Sequence, residues 1–575
     1  MTVVDSNQRV RAASLAELRE AGRLVVALNG HTVFLLTDGE GVHAVDNRCP
    51  HMGFPLHRGS VSDGILTCHW HHARFDLCTG GTFDQWADDL RRFPVEVVGD
   101  DVYVDVSPRE DPLAHQRQRL YDGLRLDIPL VVAKAAIALS EADRSGSDVF
   151  AASLEFGTLR RGGGWFRGLT TLTCLMNLVP RLEGRERAAA LYHGAADVAS
   201  DSAGMAPRFP LDPLPGAENV STKRLGRWFR SFIDVRDAEG AERALVSAVR
   251  AGASPEELAD MLFAAATDHR YLDGGHTLDF VNKALEALDL AGWDRAEGVL
   301  TSLAPQLAAA ERMEESNTWR NPVDLVALLD DAFERLPSPR PREGWDGRAA
   351  IVEITLGGEP AEILEALLDA LRDGAPPAEL ASAVTYAAAT RIARFPTSNE
   401  FGDWDTALHT FTFANAVEQG LRRSPSRELL RGVLDAAMSV HLDRFLNVPA
   451  ARLPEPRDGA DIDQLPALLD EQQRVNEAGQ LVASYLGTGG DAGRVVATLG
   501  ACLLREDRNF HTIQCVEAAV RQHQLTGDGL PLIAAARYLA AHAPTARAQR
   551  QTFEIARRLH RGERLYEDDP VVAEA

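Results

Sequence analysis

Cys49-Pro50-His51 and, sixteen residues further on, Cys68-His69-Trp70-His71 are the stretch on which the reading of this chain turns. Two thiols and two imidazoles in two short loops make a soft donor set suited to a metal centre. Structural zinc is one occupant of such a set. Zinc sites favour Cys-x2–4-Cys and His-x3–5-His spacings, however, and neither is present here. His69 and His72 flank the second loop and read as its exposed tip rather than as ligands.

Outward from these loops the text is that of short strands. Leu24-Val25-Val26-Ala27-Leu28 and Thr32-Val33-Phe34-Leu35-Leu36 surround Asn29-Gly30, and Asp38-Gly39 follows. Asp63-Gly64 precedes Ile65-Leu66-Thr67, and the segment closes with Val95-Glu96-Val97-Val98 and Val102-Tyr103-Val104-Asp105-Val106. Asn-Gly and Asp-Gly between β-branched runs are hairpin signals, because these residues accept the positive φ of a tight turn. The expectation is a small antiparallel β domain over residues 1–110.

The paired loops resemble those of the Rieske family, Cys-x-His and Cys-x-x-His, over roughly Arg9 to Val106. Phe75-Asp76 and Thr79-Gly80-Gly81 follow the second loop as they do in many Rieske domains. The resemblance implies a [2Fe-2S] cluster with Cys49 and Cys68 on one iron and His51 and His71 on the other. Imidazole in place of thiolate raises the potential above that of all-cysteine clusters. Quinol-oxidising members carry a disulfide between the loops, where this chain has Phe54 and Trp70. They also carry a serine and a tyrosine that donate to sulfur, where it has Ala73 and Phe75. Losing those donors lowers the potential, so a centre of the ferredoxin or oxygenase kind is implied.

After Pro108 the composition turns to Ala, Leu, Glu and Arg at helical spacing, and residues 111–575 read as a large all-α bundle or repeat domain. Ile363, Leu367, Leu368 and Leu371 share one face of a helix opened by Pro360. Proline-rich breaks near 209–216, 336–342 and 448–456 divide the region into four units. The units look partly repeated. Gly252-Ala253-Ser254-Pro255 leads to Ala264-Ala265-Ala266-Thr267, and Gly374-Ala375-Pro376-Pro377 leads to Ala387-Ala388-Ala389-Thr390. His276-Thr277, His409-Thr410 and His511-Thr512 then stand in matching places, each expected to open a helix.

Phe280, Phe413 and Cys515 lie four residues after these histidines, which turns all three toward the apolar face. Asp273, Asp405 and Asp507 precede them by three or four residues, where each could orient its imidazole. Hydrogen-bonded core histidines, repeated by duplication, are the alternative. Tyr192-His193-Gly194 is a looser fourth candidate. The Tyr-His-Gly and His-Thr helices are similar to the questin oxidase-like family, helical oxygenases that work without flavin. Gly487-Thr488-Gly489-Gly490-Asp491 lies between helical segments and reads as an interhelical turn, not a nucleotide loop.

The 575 residues carry a net charge of -24, with 45% apolar and 25% charged residues. That charge disfavours nucleic-acid and anionic-membrane partners. The first twenty residues lack the apolar core of a signal peptide, and six cysteines make no disulfide framework, so a cytoplasmic setting is expected. The Asp-x2-His-x4–5-His signature of ring-hydroxylating α-subunits is missing. The expected function is an oxidoreductase whose low-potential cluster passes single electrons to a helical-domain site, an oxygenase acting on a small organic molecule. A second metal, iron, would sit at His276, His409 and His511, with a separate NAD(P)H-linked reductase or ferredoxin as donor. A ferredoxin-like carrier with a docking scaffold, and a redox sensor, are the alternatives.

Overall fold

The computed structural model describes residues 9–38, 41–107 and 111–566, so Gly39 and Pro108, singled out above, lie outside the described residues. The chain divides into one compact unit of Met1–Arg144 with Gln551–Ala575 and another of Ser145–Arg550. The first unit thus also takes in the helices Pro112–Leu126 and Pro129–Ala142, which the sequence reading assigned to the helical domain.

In the first unit, nine described strands form three antiparallel three-stranded sheets. They are β1 (Arg9–Ser14), β2 (Arg23–Leu28), β3 (His31–Thr37), β4 (Val42–Asp46), β5 (Ser60–Ser62), β6 (Ile65–Thr67), β7 (Arg74–Asp76), β8 (Val95–Val98) and β9 (Asp101–Asp105). The sheet orders are β1-β9-β8, β2-β3-β4 and β5-β6-β7. Leu28 pairs with His31 and Ser62 with Ile65, so Asn29-Gly30 and Asp63-Gly64 are two-residue hairpin loops. All four turn residues have positive φ, the condition that selected them. Gly99-Asp100 makes a third such loop between β8 and β9, and β1 closes on β9; neither was legible as such in the sequence.

The run Val33-Phe34-Leu35-Leu36 does not alternate with polar residues because β3 is buried on both faces. Its side chains point alternately to opposite sides. Val33 and Leu35 join one core with Leu18, Phe93, Val102 and Val104. Phe34 and Leu36 join another with Leu56, Leu66, Ala73, Phe75 and Leu77, and this second core also holds Cys49 and Cys68. The metal-binding loops therefore stand on a hydrophobic base laid by β3.

The second unit is helical throughout its regular structure among the described residues. Its breaks at 209–216, 336–342 and 448–456 are irregular, and Gly487 to Asp491 joins the helices Val475–Gly487 and Ala492–Leu504, with Asp491 capping the latter. Four helices, Arg167–Leu178, His276–Ala291, Phe401–Arg423 and Phe510–Thr526, pack each on the next and the last on the first. Every residue from Thr277 to Leu288 is buried, as a helix at the centre of a bundle must be. Within that ring Lys283 donates to Glu286 (2.9 Å) and Glu517 (2.7 Å), while Asn177 donates to the same two carboxylates at 2.7 and 2.9 Å. Burial in this layer also pushes the Asp279 carboxyl up to about 7.

Candidate metal centres

In the first unit, two loops of the same design carry the expected cluster ligands. The Cys49 amide donates to the Phe54 carbonyl (2.9 Å), and the Cys68 amide donates to that of Ala73 (2.8 Å), so each cysteine opens a six-residue closed turn. The fifth residue of each turn is left-handed: Gly53 at φ 81 and His72 at φ 62. Both sulfurs are buried, whereas His51 is half-buried and His71 exposed.

The sulfurs lie within hydrogen-bonding reach of each other. That bond and burial push the Cys49 thiol up. The same bond draws the Cys68 thiol down to about 6, helped by the amides of Trp70 and His71. The imidazoles of His51 and His71 stand edge to face with centroids 5.0 Å apart. Burial, with Lys134 and His71 nearby, holds His51 down to about 4, and burial with His72 lowers His71. Neutral imidazoles and adjacent, amide-bonded sulfurs are the donor chemistry that a mixed Cys/His [2Fe-2S] cluster requires, and these four residues fit it.

Phe54 and Trp70 take up each other's company, ring centroids 5.9 Å apart, and Tyr566 packs on both at 5.4 and 6.2 Å. Aromatic packing thus joins the loops at the positions where the quinol-oxidising members have a disulfide. Ala73 and Phe75 are fully buried and offer no hydroxyl. The exposed tip carries His69 and His72.

In the second unit, the ring of four helices brings His276, His409 and His511 together. One ligand nitrogen from each lies within 4.8 Å of the others. Nε2 of His409 and Nε2 of His511 are 3.0 Å apart, and the ring centroids of His276 lie 4.4 Å from His409 and 5.4 Å from His511. Burial first, then the neighbouring imidazoles, hold His276 down to about 2 and His409 to about 4, so both are neutral and metal-competent. Phe280 stacks on His276, and Phe510 packs against His276 and His511.

His276 opens its helix and His511 stands second in its own, but His409 lies inside the helix Phe401–Arg423. The capping box of Glu400 and Asp403 starts that helix two turns earlier than the repeat implies. The expected aspartate pairings also differ. Asp405 faces not its own repeat's histidine but His511, 3.5 Å from Nδ1, and receives the Tyr538 hydroxyl. Asp273 has φ 51 and accepts from Thr277, Gln306 and the Glu311 amide. Asp507 accepts from the amides of Ala548 and Gln549 at a helix start. Those donors, from side chains and one amide for Asp273 and from two amides for Asp507, occupy both carboxylates in place of a cluster imidazole. His193 stays out of the cluster, buried in the helix Arg185–Ser202 beside Tyr192. The fourth helix of the ring offers Arg167 instead of a histidine, over the Phe166 and Phe510 rings, a residue that no repeat signal marked.

The model of the Rieske [2Fe-2S] domain matches residues 8–94. The chain is 39% identical over 83 residues to Apoptosis-inducing factor 3 of Homo sapiens, 14% of each chain, so it spans about one seventh of that relative's length. It is 28% identical over 99 residues, 17% of this chain and 95% of the relative, to the ferredoxin component of the naphthalene 1,2-dioxygenase system of Pseudomonas aeruginosa. Among solved structures, the ferredoxin of carbazole 1,9a-dioxygenase from Nocardioides aromaticivorans IC177 is covered completely by 18% of this chain, at 27% identity and a TM-score of 0.17. Among the described residues, no helix is long and apolar enough to cross a membrane. With its paired loops, buried sulfurs and half-open imidazoles, the segment 8–94 is a Rieske [2Fe-2S] domain.

Proposed function

We propose that this chain is an oxidoreductase in which Cys49, His51, Cys68 and His71 hold a cluster that supplies single electrons, and His276, His409 and His511 hold a second metal, iron, at which a small organic substrate is oxygenated. One observation carries this reading. Three histidines from three helices, His276–Ala291, Phe401–Arg423 and Phe510–Thr526, converge within 4.8 Å, with two ring nitrogens 3.0 Å apart. Asp405 at 3.5 Å from His511 supports it, since a carboxylate on the far ring nitrogen orients an imidazole for a metal. Phe280 and Phe510 give the site an apolar wall, and the reductant is a separate reductase or ferredoxin.

A carrier reading is favoured by a different observation: the likeness to a ferredoxin component extends over 95% of that protein's length. Metal analysis separates the two. Iron above the two per chain of the cluster, lost in His276→Ala, His409→Ala or His511→Ala while the cluster signal persists, supports the enzyme. Two irons per chain in all four proteins supports the carrier.

A further inference from the structure

Cys49 sits in a loop whose amides of His51 and Met52 donate to its sulfur. The oxygen ends of those same two peptide groups are the carbonyls of Pro50 and His51. Both are gripped by one side chain from far along the chain. Lys134, on the helix Pro129–Ala142, donates from Nζ to the Pro50 carbonyl at 2.6 Å and to the His51 carbonyl at 2.7 Å. Its third partner is Asp88 at 3.2 Å. Three acceptors use three N–H donors, which only the ammonium form possesses. The side chain is 7% exposed, so bulk water does little to screen it. Asp88 is in turn held by Arg119 in a two-pronged bond at 2.7 and 2.5 Å. Lys134, Arg119 and Asp88 together leave one net positive charge beside the loop.

We infer that Lys134 is a positioning and tuning residue for the cluster: its charge, relayed through the two peptide groups it grips, strengthens their hydrogen bonds to the Cys49 sulfur and raises the midpoint potential. The physics is direct. Reduction adds one negative charge to the centre, and a buried cation nearby stabilises the reduced form over the oxidised one. Polarising a carbonyl oxygen makes the N–H at the other end of the same peptide a stronger donor. Stronger donation to a ligand sulfur raises the potential. Lys134 thereby offsets part of what is lost where Ala73 and Phe75 lack a hydroxyl. It lies outside the residues that match the Rieske domain, so the extension after residue 94 sets part of the cluster's potential. The inference rests on the cluster alone and is independent of the histidine site in the helical unit.

The test is an EPR-monitored redox titration of the full-length, cluster-loaded protein and its variants at pH 7. Lys134→Met should keep the mixed Cys/His signal and the iron content of the cluster. It should shift the reduction equilibrium about tenfold toward the oxidised form, a fall of about 59 mV for a one-electron couple. Lys134→Arg keeps the charge and should stay close to wild type. Asp88→Asn removes the opposing charge and should move the midpoint upward, which guards against a Lys134→Met protein that fails to load. A fully loaded Lys134→Met protein with an unchanged midpoint would overturn the inference. So would an Asp88→Asn protein whose midpoint does not rise.

Discussion

At the scale of single residues, the proposal for the first unit rests on Cys49, His51, Cys68 and His71 as ligands and on the groups that donate to the sulfurs. Replacing His51 or His71 by Ala should abolish the EPR signal of a mixed Cys/His [2Fe-2S] centre; a colourless wild-type protein holding one zinc would end this reading. The missing hydroxyls at Ala73 and Phe75 place the wild-type midpoint toward the low end of the Rieske range, about -150 mV. The double variant Ala73→Ser, Phe75→Tyr should raise it, and a wild-type value well above zero would show that these substitutions have been misjudged. The four candidate ligands stood out in the sequence because both loops are short and each has its own spacing. Lys134 did not, since 83 residues separate it from the His51 carbonyl it binds and no periodicity marks it.

At the scale of elements, the ring of four helices holds the histidine cluster above a layer of buried charge. Lys283 is shared between Glu286 and Glu517, and removing it leaves two buried carboxylates with, among the described residues, only Arg521, at 3.7 and 3.9 Å, to balance their charge. Lys283→Met should therefore cost about 3–5 kcal/mol in urea unfolding. The histidines above set an acid limit. An unfolded imidazole titrates near 6.5, whereas burial and the neighbouring His511 imidazole hold folded His409 at about 4. As pH falls, the unfolded chain takes up the proton first, so in the metal-free protein His409 alone should cost about 3 kcal/mol of stability between pH ~6.5 and pH 4. His409→Gln should flatten that part of the pH profile, and an unchanged profile would remove His409 as its source. The three histidines could be grouped from sequence because each is followed by Thr and has an apolar residue one helical turn on, which turns it inward. Asp273 and Asp507 do not reach the imidazoles for a physical reason: sequence distance says nothing of backbone direction, and Asp273 turns left-handed toward Gln306 and Glu311.

At the scale of the molecule, the fold class was legible from composition and turn chemistry, while the extent of the first unit was not. The helices Pro112–Leu126 and Pro129–Ala142 have the same alanine and leucine-rich texture as the bundle, yet they belong with the strands. Composition reports an element's type and not the core it joins. Likewise β1 escaped notice because Arg9 to Ser14 alternates with arginines at a sheet edge, and only its pairing with β9 identifies it. The claim that joins the two units is that one chain holds both a Rieske cluster and a second iron. Its most direct test is iron quantitation with EPR on the purified full-length protein and on His276→Ala, His409→Ala and His511→Ala. The expected result is more than two irons per chain in the wild type, with each variant losing the excess and substrate turnover while keeping the cluster signal. Two irons per chain in every protein, with only modest thermal shifts and undiminished activity in the three variants, would contradict it.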